Sequence, residues 1–246
     1  MSNFSVSSFA MASNLSADSV YLTTKAAHER LTSVATGDEQ SQADKNLVTK
    51  WYSVRREMDR MIENRGKRYA GCNFDNYECR NDSQSKVVAA LKDYAIHSKD
   101  HIASGKNVLL IGSKGAGKDH LIMALAKSVF MQTGTPAHWC NGVELHEKLR
   151  AESMKNHRFH QEEAECQIFW VSDPLPPTGV LSEFQQAQMF RIIDARYSHQ
   201  RPTWLTLNVA DGSEAESRMG SQTVDRLRQD ALILFCNWPS YREAQA

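Results

Sequence analysis

Short apolar runs alternate with helical patterns from residue 107 towards the end of the chain. The five runs have the length of buried strands, and they are Asn107–Ile111, Ala137–Cys140, Ile168–Ser172, Trp204–Asn208 and Ala231–Cys236. Between most of them, apolar residues recur at the three- and four-residue steps of a helix. This alternation predicts an α/β fold in which a parallel five-stranded sheet is covered by helices on both faces.

Two further amphipathic segments precede the predicted sheet. Apolar residues recur at helical spacing from Leu47 to Ile62, and a second helical pattern runs from Val87 to Ile102 and ends at Gly105. Gly, Asn, Asp and Ser cluster between residues 71 and 85. This cluster predicts a loop between the two helices.

The amino-terminal segment has a different composition from the rest of the chain. It is rich in Ser, Ala, Thr, Asp and Gln, and its apolar residues keep no sustained period, which is typical of a mobile tail. The chain is therefore predicted to have three parts, which are a tail at residues 1–45, a helical region at 46–70 and a larger domain at 71–246.

Charge is unevenly distributed in a protein that is neutral overall. The 246 residues include 29 basic and 29 acidic side chains, yet seven basic and only three acidic residues lie between Lys50 and Arg68. This local excess can contact a nucleic acid or an acidic partner surface. The alternative is the solvated face of a helix whose apolar stripe packs on the main domain, and the sequence leaves both interpretations open.

The composition narrows the class of protein. Hydrophobic residues make up 41% of the chain and charged residues 24%, which allows a core of ordinary size. Apolar runs stay well below the roughly 18 residues that cross a bilayer. The five cysteines lack paired CxxC spacing, so neither a disulfide framework nor a zinc ribbon is indicated. We expect a cytoplasmic protein that does not contact a membrane.

The most specific motif follows directly on the first apolar run. Its residues fit the pattern G-x-x-x-x-G-K and are Gly112, Ser113, Lys114, Gly115, Ala116, Gly117 and Lys118. The glycines let the backbone curl until several N–H groups face one centre, and the amino terminus of the following helix adds partial positive charge. The motif predicts a nucleotide site in which Lys118 reaches the outer phosphates.

Two acidic residues are candidate magnesium ligands. The residue after the lysine of this motif is usually Ser or Thr, whose hydroxyl joins the Mg²⁺ shell, but this chain has Asp119. A carboxylate can hold Mg²⁺, although it also places negative charge beside the phosphates. Asp173 ends the third apolar run and is the candidate Walker B acid. The alternative for Asp173 is a turn residue before a proline-rich segment.

The residue after the Walker B candidate weakens the case for hydrolysis. ATPases of this class usually carry a Glu there that orients the attacking water, whereas this chain has Pro174. General-base help is typically worth about 10²- to 10⁴-fold in rate. We therefore expect at most weak ATPase activity, unless another acid such as Glu183 takes this role.

From about Arg68 to Arg242 the sequence resembles the AAA+ helicase loaders of the DnaC type and the related IstB-like ATPases. The P-loop continues into Asp119-His120-Leu121, which is similar to the family's G-K-x-H-L. Further blocks that resemble the family are Arg68-Tyr69, Cys72–Tyr77, Ile193–Tyr197, Arg201–Thr203, Met219–Leu227 and Asn237–Arg242. The resemblance implies an AAA+ P-loop NTPase fold, preceded by a small helical region.

The resemblance also implies roles for single residues. The P-loop residues together with Asp119 and His120 would bind ATP, and Asn208 matches the sensor 1 position. Arg226 matches an arginine finger, which acts across a subunit interface. From the residues alone, a salt bridge within one subunit is the favoured interpretation of Arg226. Tyr241-Arg242 either contacts nucleotide or DNA or caps the surface, and both interpretations remain open.

The function that the resemblance implies is delivery of a replicative helicase of the DnaB type to DNA. The protein would bind ATP, Mg²⁺ and single-stranded DNA, form a homo-oligomer, and contact the helicase through residues 46–70, with ATP as a switch. Two other functions remain open. One is an IstB-like transposition helper that prefers duplex DNA, and the other is a non-hydrolysing AAA+ adaptor, which Asp119 and Pro174 favour.

Overall fold

A computed structural model describes residues 56–153 and 161–242 of the chain. Five parallel strands form one sheet in the order β2-β3-β4-β1-β5. The strands are β1 (Val108–Gly112), β2 (Ala137–Asn141), β3 (Ile168–Ser172), β4 (Thr203–Leu207) and β5 (Leu232–Cys236). Each predicted apolar run coincides with one of these strands to within one residue at either end, so the prediction of a parallel five-stranded sheet is confirmed. The predicted tail and the first part of the helical region, up to residue 55, lie outside the described residues.

Helices precede the sheet and connect its strands. The first, α1, covers residues 56–65 of the described chain and is followed by a 3-10 turn at Lys67–Tyr69. The others are α2 (Asp82–Ile96), α3 (Ser98–Ser104), α4 (Lys118–Thr133), α5 (Gly142–Ser153), α6 (Gln161–Glu165), α7 (Glu183–Ser198), α8 (Gly212–Met219) and α9 (Ser221–Arg228). Because parallel strands require crossover connections, these helices lie on both faces of the sheet.

Alternate side chains of the strands enter two separate hydrophobic cores. In β1, Val108 and Leu110 pack with α2 and α4, whereas Leu109 and Ile111 pack with α7, α8 and α9. All five residues of β1, β3 and β4 are buried, as expected for central strands with both faces covered. Both faces of the sheet are therefore covered, as the apolar pattern predicted.

The helical pattern that ends at Gly105 forms two helices. A capping box of Asn81 and Gln84 begins α2, which ends at Ile96, and α3 starts at Ser98. The residue between them, His97, has φ −96° and ψ 19° and therefore leaves the helical conformation. The break buries Ser98 completely and lets both helices pack against α4. Periodicity did not reveal it, because the apolar spacing continues across the break.

Helix α1 packs against the main domain. Met61 is buried in the same core as the α2 and α4 side chains, and Ile62 packs against that core. In its described part, the apolar stripe of the amino-terminal region thus faces the domain, while Arg56 and Arg60 are exposed. Among the described helices, none combines the length and the apolar character needed to cross a bilayer.

A buried arginine joins the strands at their amino ends. Arg196 of α7 is completely buried, and its guanidinium donates to the carbonyls of Glu163, Cys166, Gln167 and Pro202. Its Nε donates to the Thr203 hydroxyl at 2.9 Å. These bonds connect α7 to α6 and to the segments that precede β3 and β4. Burial lowers the pKa of Arg196 to about 10, so the side chain stays charged at neutral pH.

Candidate nucleotide-binding site

A cavity of about 480 Å³ opens at the carboxyl ends of β1, β3 and β4. It brings together the part of the predicted motif from Lys114 to His120 with Asp173 and Asn208. Side chains from outside the motif complete the walls, and they include Arg68, Tyr77, Thr206, Tyr241 and Arg242. The edge formed by the carboxyl ends of parallel strands is the usual ligand site of such folds.

The P-loop has a conformation that only glycine accepts at two tight positions. Gly115 has φ 78° and a Cβ there would collide with the Ser240 side chain. Gly117 has φ 82°, and its Cβ would come within 2.8 Å of the Tyr77 ring. The carbonyl of Ala116, between them, accepts hydrogen bonds from Tyr77 Oη and Trp238 Nε1, both at 2.9 Å. The loop is thus fixed by its own backbone and by aromatic side chains distant in sequence.

Lys118 lies inside the loop that precedes it. Its Nζ donates to the carbonyls of Gly112 and Ser113, both at 2.8 Å, and to Asn208 Oδ1 at 2.7 Å. These contacts use the three donors of an ammonium group. Burial lowers the pKa of Lys118, and the nearby carboxylates of Asp173 and Asp119 oppose that shift. Gly112 and Ser113 do not line the cavity, but their carbonyls fix the position of the Lys118 ammonium group.

Asp173 is linked to Lys118 through Asn208. Asn208 Nδ2 donates to Asp173 Oδ1 at 2.6 Å, while the amide oxygen of the same side chain accepts from Lys118. Enclosure in the cavity raises the pKa of Asp173, the charge of Asp119 adds to the rise, and Lys118 and the Asn208 hydrogen bond counteract it. Asp173 itself has φ 49°, a left-handed conformation that is uncommon outside glycine. The three predicted residues form one continuous polar chain.

Asp119 is engaged on both of its carboxylate oxygens. Oδ1 accepts from Ser172 Oγ at 3.0 Å and from Thr206 Oγ1 at 3.2 Å, and Oδ2 lies 2.8 Å from Arg65 Nη2. The sequence did not single out these three partners. Ser172 and Thr206 could have been noticed as polar residues in buried strands, but Arg65 was only one member of a basic run.

The loop that precedes α2 is attached to the P-loop helix. His120 Nε2 lies 2.8 Å from the Asn73 carbonyl, and its ring meets the edge of Tyr77. Lys127, two turns further along α4, donates to the carbonyls of Ala70 and Cys72. His120 therefore lines the cavity and also holds the segment that forms one of its walls.

Arg226 lies away from this cavity. It belongs to α9, whose end leads to the start of β5, and it lines a second cavity together with Asn107 and Thr203 at the amino ends of the strands. Its Nε donates to Asp194 at 3.1 Å and its Nη1 to Asp225 at 3.2 Å, and its guanidinium stacks on Tyr197. The structure thus separates Arg226 from the nucleotide cavity of its own chain.

Pro174 follows Asp173 but is not one of the residues that line the nucleotide cavity. Pro174 is buried, and its carbonyl accepts from His146 Nε2 at 2.8 Å. Among the described residues that line the cavity, the acids are Glu78, Asp119 and Asp173. Glu183, the suggested substitute base, begins α7 and is not one of the lining residues.

The chain is similar to known proteins in sequence and in fold. A model of the IstB-like ATP-binding protein family matches residues 23–246. The replicative helicase loader DnaC of Buchnera aphidicola subsp. Acyrthosiphon pisum is 27% identical over 195 residues, which cover 76% of each chain.

Two solved structures share the fold. The crystal structure of the DnaC helicase loader has a TM-score of 0.63 at 22% identity, covering 69% of this chain and 99% of that one. Domain III of the Thermotoga maritima replication initiation protein DnaA has a TM-score of 0.57 at 15% identity, covering 72% and 70%. The prediction of an AAA+ P-loop fold is confirmed.

Proposed function

Because the chain belongs to the IstB-like ATP-binding protein family, as its motifs predicted, we propose that it is a replication protein that loads a DnaB-type helicase. It binds single-stranded DNA, delivers the helicase to it, and uses ATP as a switch. The similarity to Buchnera proteins named as replicative helicase loaders supports the proposal, at 27% and 26% identity.

The observation that carries the proposal is the polar chain from Lys118 through Asn208 to Asp173. All three donors of Lys118 are already used, so a phosphate that accepts from Nζ replaces one of the present acceptors. Asn208 is the acceptor that also contacts Asp173. If a nucleotide phosphate takes the place of Asn208 on Lys118, the contacts of Asn208 at the end of β4 change, and with them those of Asp173 at the end of β3. This gives ATP a direct way to act as a switch.

Magnesium would accompany ATP at this site through Asp173. Its carboxylate faces the cavity and keeps acceptor capacity beyond the single hydrogen bond from Asn208. Asp119 fits a magnesium ion less well, because hydroxyl groups and a guanidinium already occupy both oxygens. Bound magnesium would neutralise phosphate charge, while the chain itself orients the phosphates with the loop and Lys118.

Hydrolysis of ATP is slow, because the residue after Asp173 cannot act as a base. Proline has no side-chain acceptor for a water proton, and Pro174 follows Asp173 directly. Of the three lining acids, Asp119 is held by other side chains, Glu78 pairs with Arg80, and Asp173 is the residue assigned to magnesium. Binding of ATP, rather than its hydrolysis, would thus switch the protein between its forms with and without nucleotide.

Helicase contact is assigned to the helical region at residues 46–70. In its described part Met61 is buried on the domain and Arg56 and Arg60 are exposed. These exposed basic side chains support contact with an acidic surface of a partner, although Arg60 also donates to Glu57 at 2.7 Å. ATP held by Lys118 in one subunit, with Arg226 supplied by the next, would order a homo-oligomer on DNA.

Retention of the full-length protein by an immobilised DnaB-type helicase tests the proposal. Charge reversal at two exposed arginines, Arg56→Glu with Arg60→Glu, should reduce retention at least about tenfold, because it replaces attraction by repulsion. The matched control is Lys86→Glu with Lys99→Glu, which reverses two exposed lysines on α2 and α3 and should leave retention unchanged. Failure of the wild-type protein to bind helicase, together with a preference for duplex DNA, would favour a transposition helper instead.

A further inference from the structure

Arg65, near the end of α1, reaches the residue that follows the P-loop lysine. Its Nη2 lies 2.8 Å from Asp119 Oδ2, and only 9% of the Arg65 side chain is exposed. The ion pair is therefore largely shielded from solvent, where the interaction between charges is stronger than at the surface.

Aromatic rings hold the guanidinium in place. Its central carbon lies 3.7 Å from the centre of the Tyr69 ring and 4.4 Å from that of Trp139, and Trp170 lies at 5.5 Å. These rings come from the 3-10 turn, from β2 and from β3, so three elements fix the same group. A planar guanidinium stacks on aromatic faces in a way that an ammonium group does not. These ring contacts favour arginine over lysine at position 65.

The Arg65–Asp119 pair lies at a position that usually belongs to the magnesium site of a P-loop protein. In P-loop proteins the residue after the lysine is Ser or Thr, whose hydroxyl joins the magnesium shell. Here that residue is Asp119, and its oxygens accept from Ser172, Thr206 and Arg65. A positive charge supplied by the chain therefore lies where a metal ion would otherwise be held by this residue.

We propose that Arg65 is a resident cation of the nucleotide site, so that nucleotide affinity depends little on magnesium. The guanidinium neutralises Asp119 and leaves the positive charge of Lys118 and the loop N–H groups available to the phosphates. The inference rests on the proposed binding of ATP. It also connects α1, the described end of the helical region, to the nucleotide site through Asp119.

The test is the affinity of the full-length protein for a fluorescent ADP, measured with Mg²⁺ and with EDTA. The wild-type dissociation constants in the two buffers should agree within about threefold. In Arg65→Gln, Asp119 becomes an unpaired carboxylate beside the phosphates, and affinity in EDTA should fall at least about tenfold. Addition of Mg²⁺ should restore most of that loss.

Two further variants separate charge from packing. Arg65→Gln combined with Asp119→Asn removes both charges and should return the affinity in EDTA to within about threefold of wild type. The matched control is Arg228→Gln, which breaks another arginine–carboxylate pair, with Glu216, far from the cavity and should change nothing.

Several outcomes would overturn the inference. The inference is contradicted if the wild-type protein loses tenfold or more of its nucleotide affinity in EDTA. This measurement needs no variant, so it remains decisive even if Arg65→Gln does not fold. Equal magnesium dependence in wild type and a folded Arg65→Gln contradicts it as well. A wild-type protein that binds nucleotide in neither buffer overturns the proposed ATP binding itself, and the inference with it.

Discussion

Lys118 Nζ donates a 2.7 Å hydrogen bond to Asn208 Oδ1, which connects the P-loop on β1 to the end of β4. The same amide donates to Asp173 at the end of β3. One side chain thus joins the predicted phosphate-binding lysine to the predicted Walker B acid. A change at the lysine is passed on to the acid through a single amide group.

Replacement of Asn208 by alanine tests this connection. The lysine keeps two carbonyl acceptors, so nucleotide affinity of Asn208→Ala should remain within about threefold of wild type. The gain in DNA affinity that we propose for ATP should be lost, because the hydrogen-bonded connection between Lys118 and Asp173 is broken. Titrations of nucleotide and of labelled single-stranded DNA on the same preparation measure both quantities. An unchanged ATP effect on DNA affinity would contradict the role given to Asn208.

Asp173→Asn should stabilise the protein at neutral pH. Cavity enclosure and Asp119 raise the pKa of Asp173, so the native carboxyl keeps its proton to a higher pH than the unfolded one. The native state gains stability from this group at low pH and loses it as the pH rises through the raised pKa. The variant should therefore melt at a higher temperature than wild type near about pH 7, and the difference should shrink towards about pH 4.

Thermal melts across this pH range, in buffers without nucleotide, provide the check. The control is Asp230→Asn, which changes an exposed residue and should leave the pH dependence as in wild type. A lower melting temperature for Asp173→Asn at neutral pH would show that its negative charge stabilises the fold.

Arg226→Ala should separate nucleotide binding from assembly. Arg226 lies at the opposite end of the strands from its own nucleotide cavity, so affinity for nucleotide should change less than about twofold. If Arg226 reaches the ATP of a neighbouring subunit, the ATP-dependent increase in mass on DNA should disappear. Sedimentation velocity with ATP and single-stranded DNA measures it, and Arg228→Ala is the neighbouring control. Assembly that persists in Arg226→Ala would assign this arginine to the salt bridge with Asp194.

Arg196→Met should strongly destabilise the fold. The substitution leaves several buried carbonyls without donors, and loss of one partner from a buried charged network typically costs about 3 to 5 kcal/mol. The free energy of unfolding from urea titration should fall by about that amount, whereas Lys99→Met at an exposed position on α3 should change it by less than about 0.5 kcal/mol. A loss below about 1 kcal/mol would mean that water replaces the guanidinium at these carbonyls.

Local patterns were sufficient to predict most of the scaffold. The five apolar runs and the glycine-rich motif depend on burial and backbone conformation, which are determined by neighbouring residues. They placed β1 to β5, the P-loop and the start of α4 correctly. The break at His97 was missed, since it depends on how Ser98 and the helix after it pack on α4.

The electrostatics of the site could not be read from the sequence in the same way. Asp119 was predicted as a magnesium ligand from its position after Lys118 alone. Its partners come from three distant segments, and only the fold brings Arg65, Ser172 and Thr206 to the same carboxylate. An arginine in a basic run gives no local sign that it is buried between aromatic rings.

The most direct test of the account is the affinity for labelled single-stranded DNA at fixed salt, with ATP, with ADP or without nucleotide, in wild type and in Lys118→Ala. ATP turnover is followed in the same samples. If ATP acts as a switch, it should strengthen DNA binding of the wild type by about tenfold or more, a typical size for coupled sites. Lys118→Ala should lack this gain, and turnover should stay low. Equal DNA affinity of the wild type in all three nucleotide conditions would contradict the ATP switch.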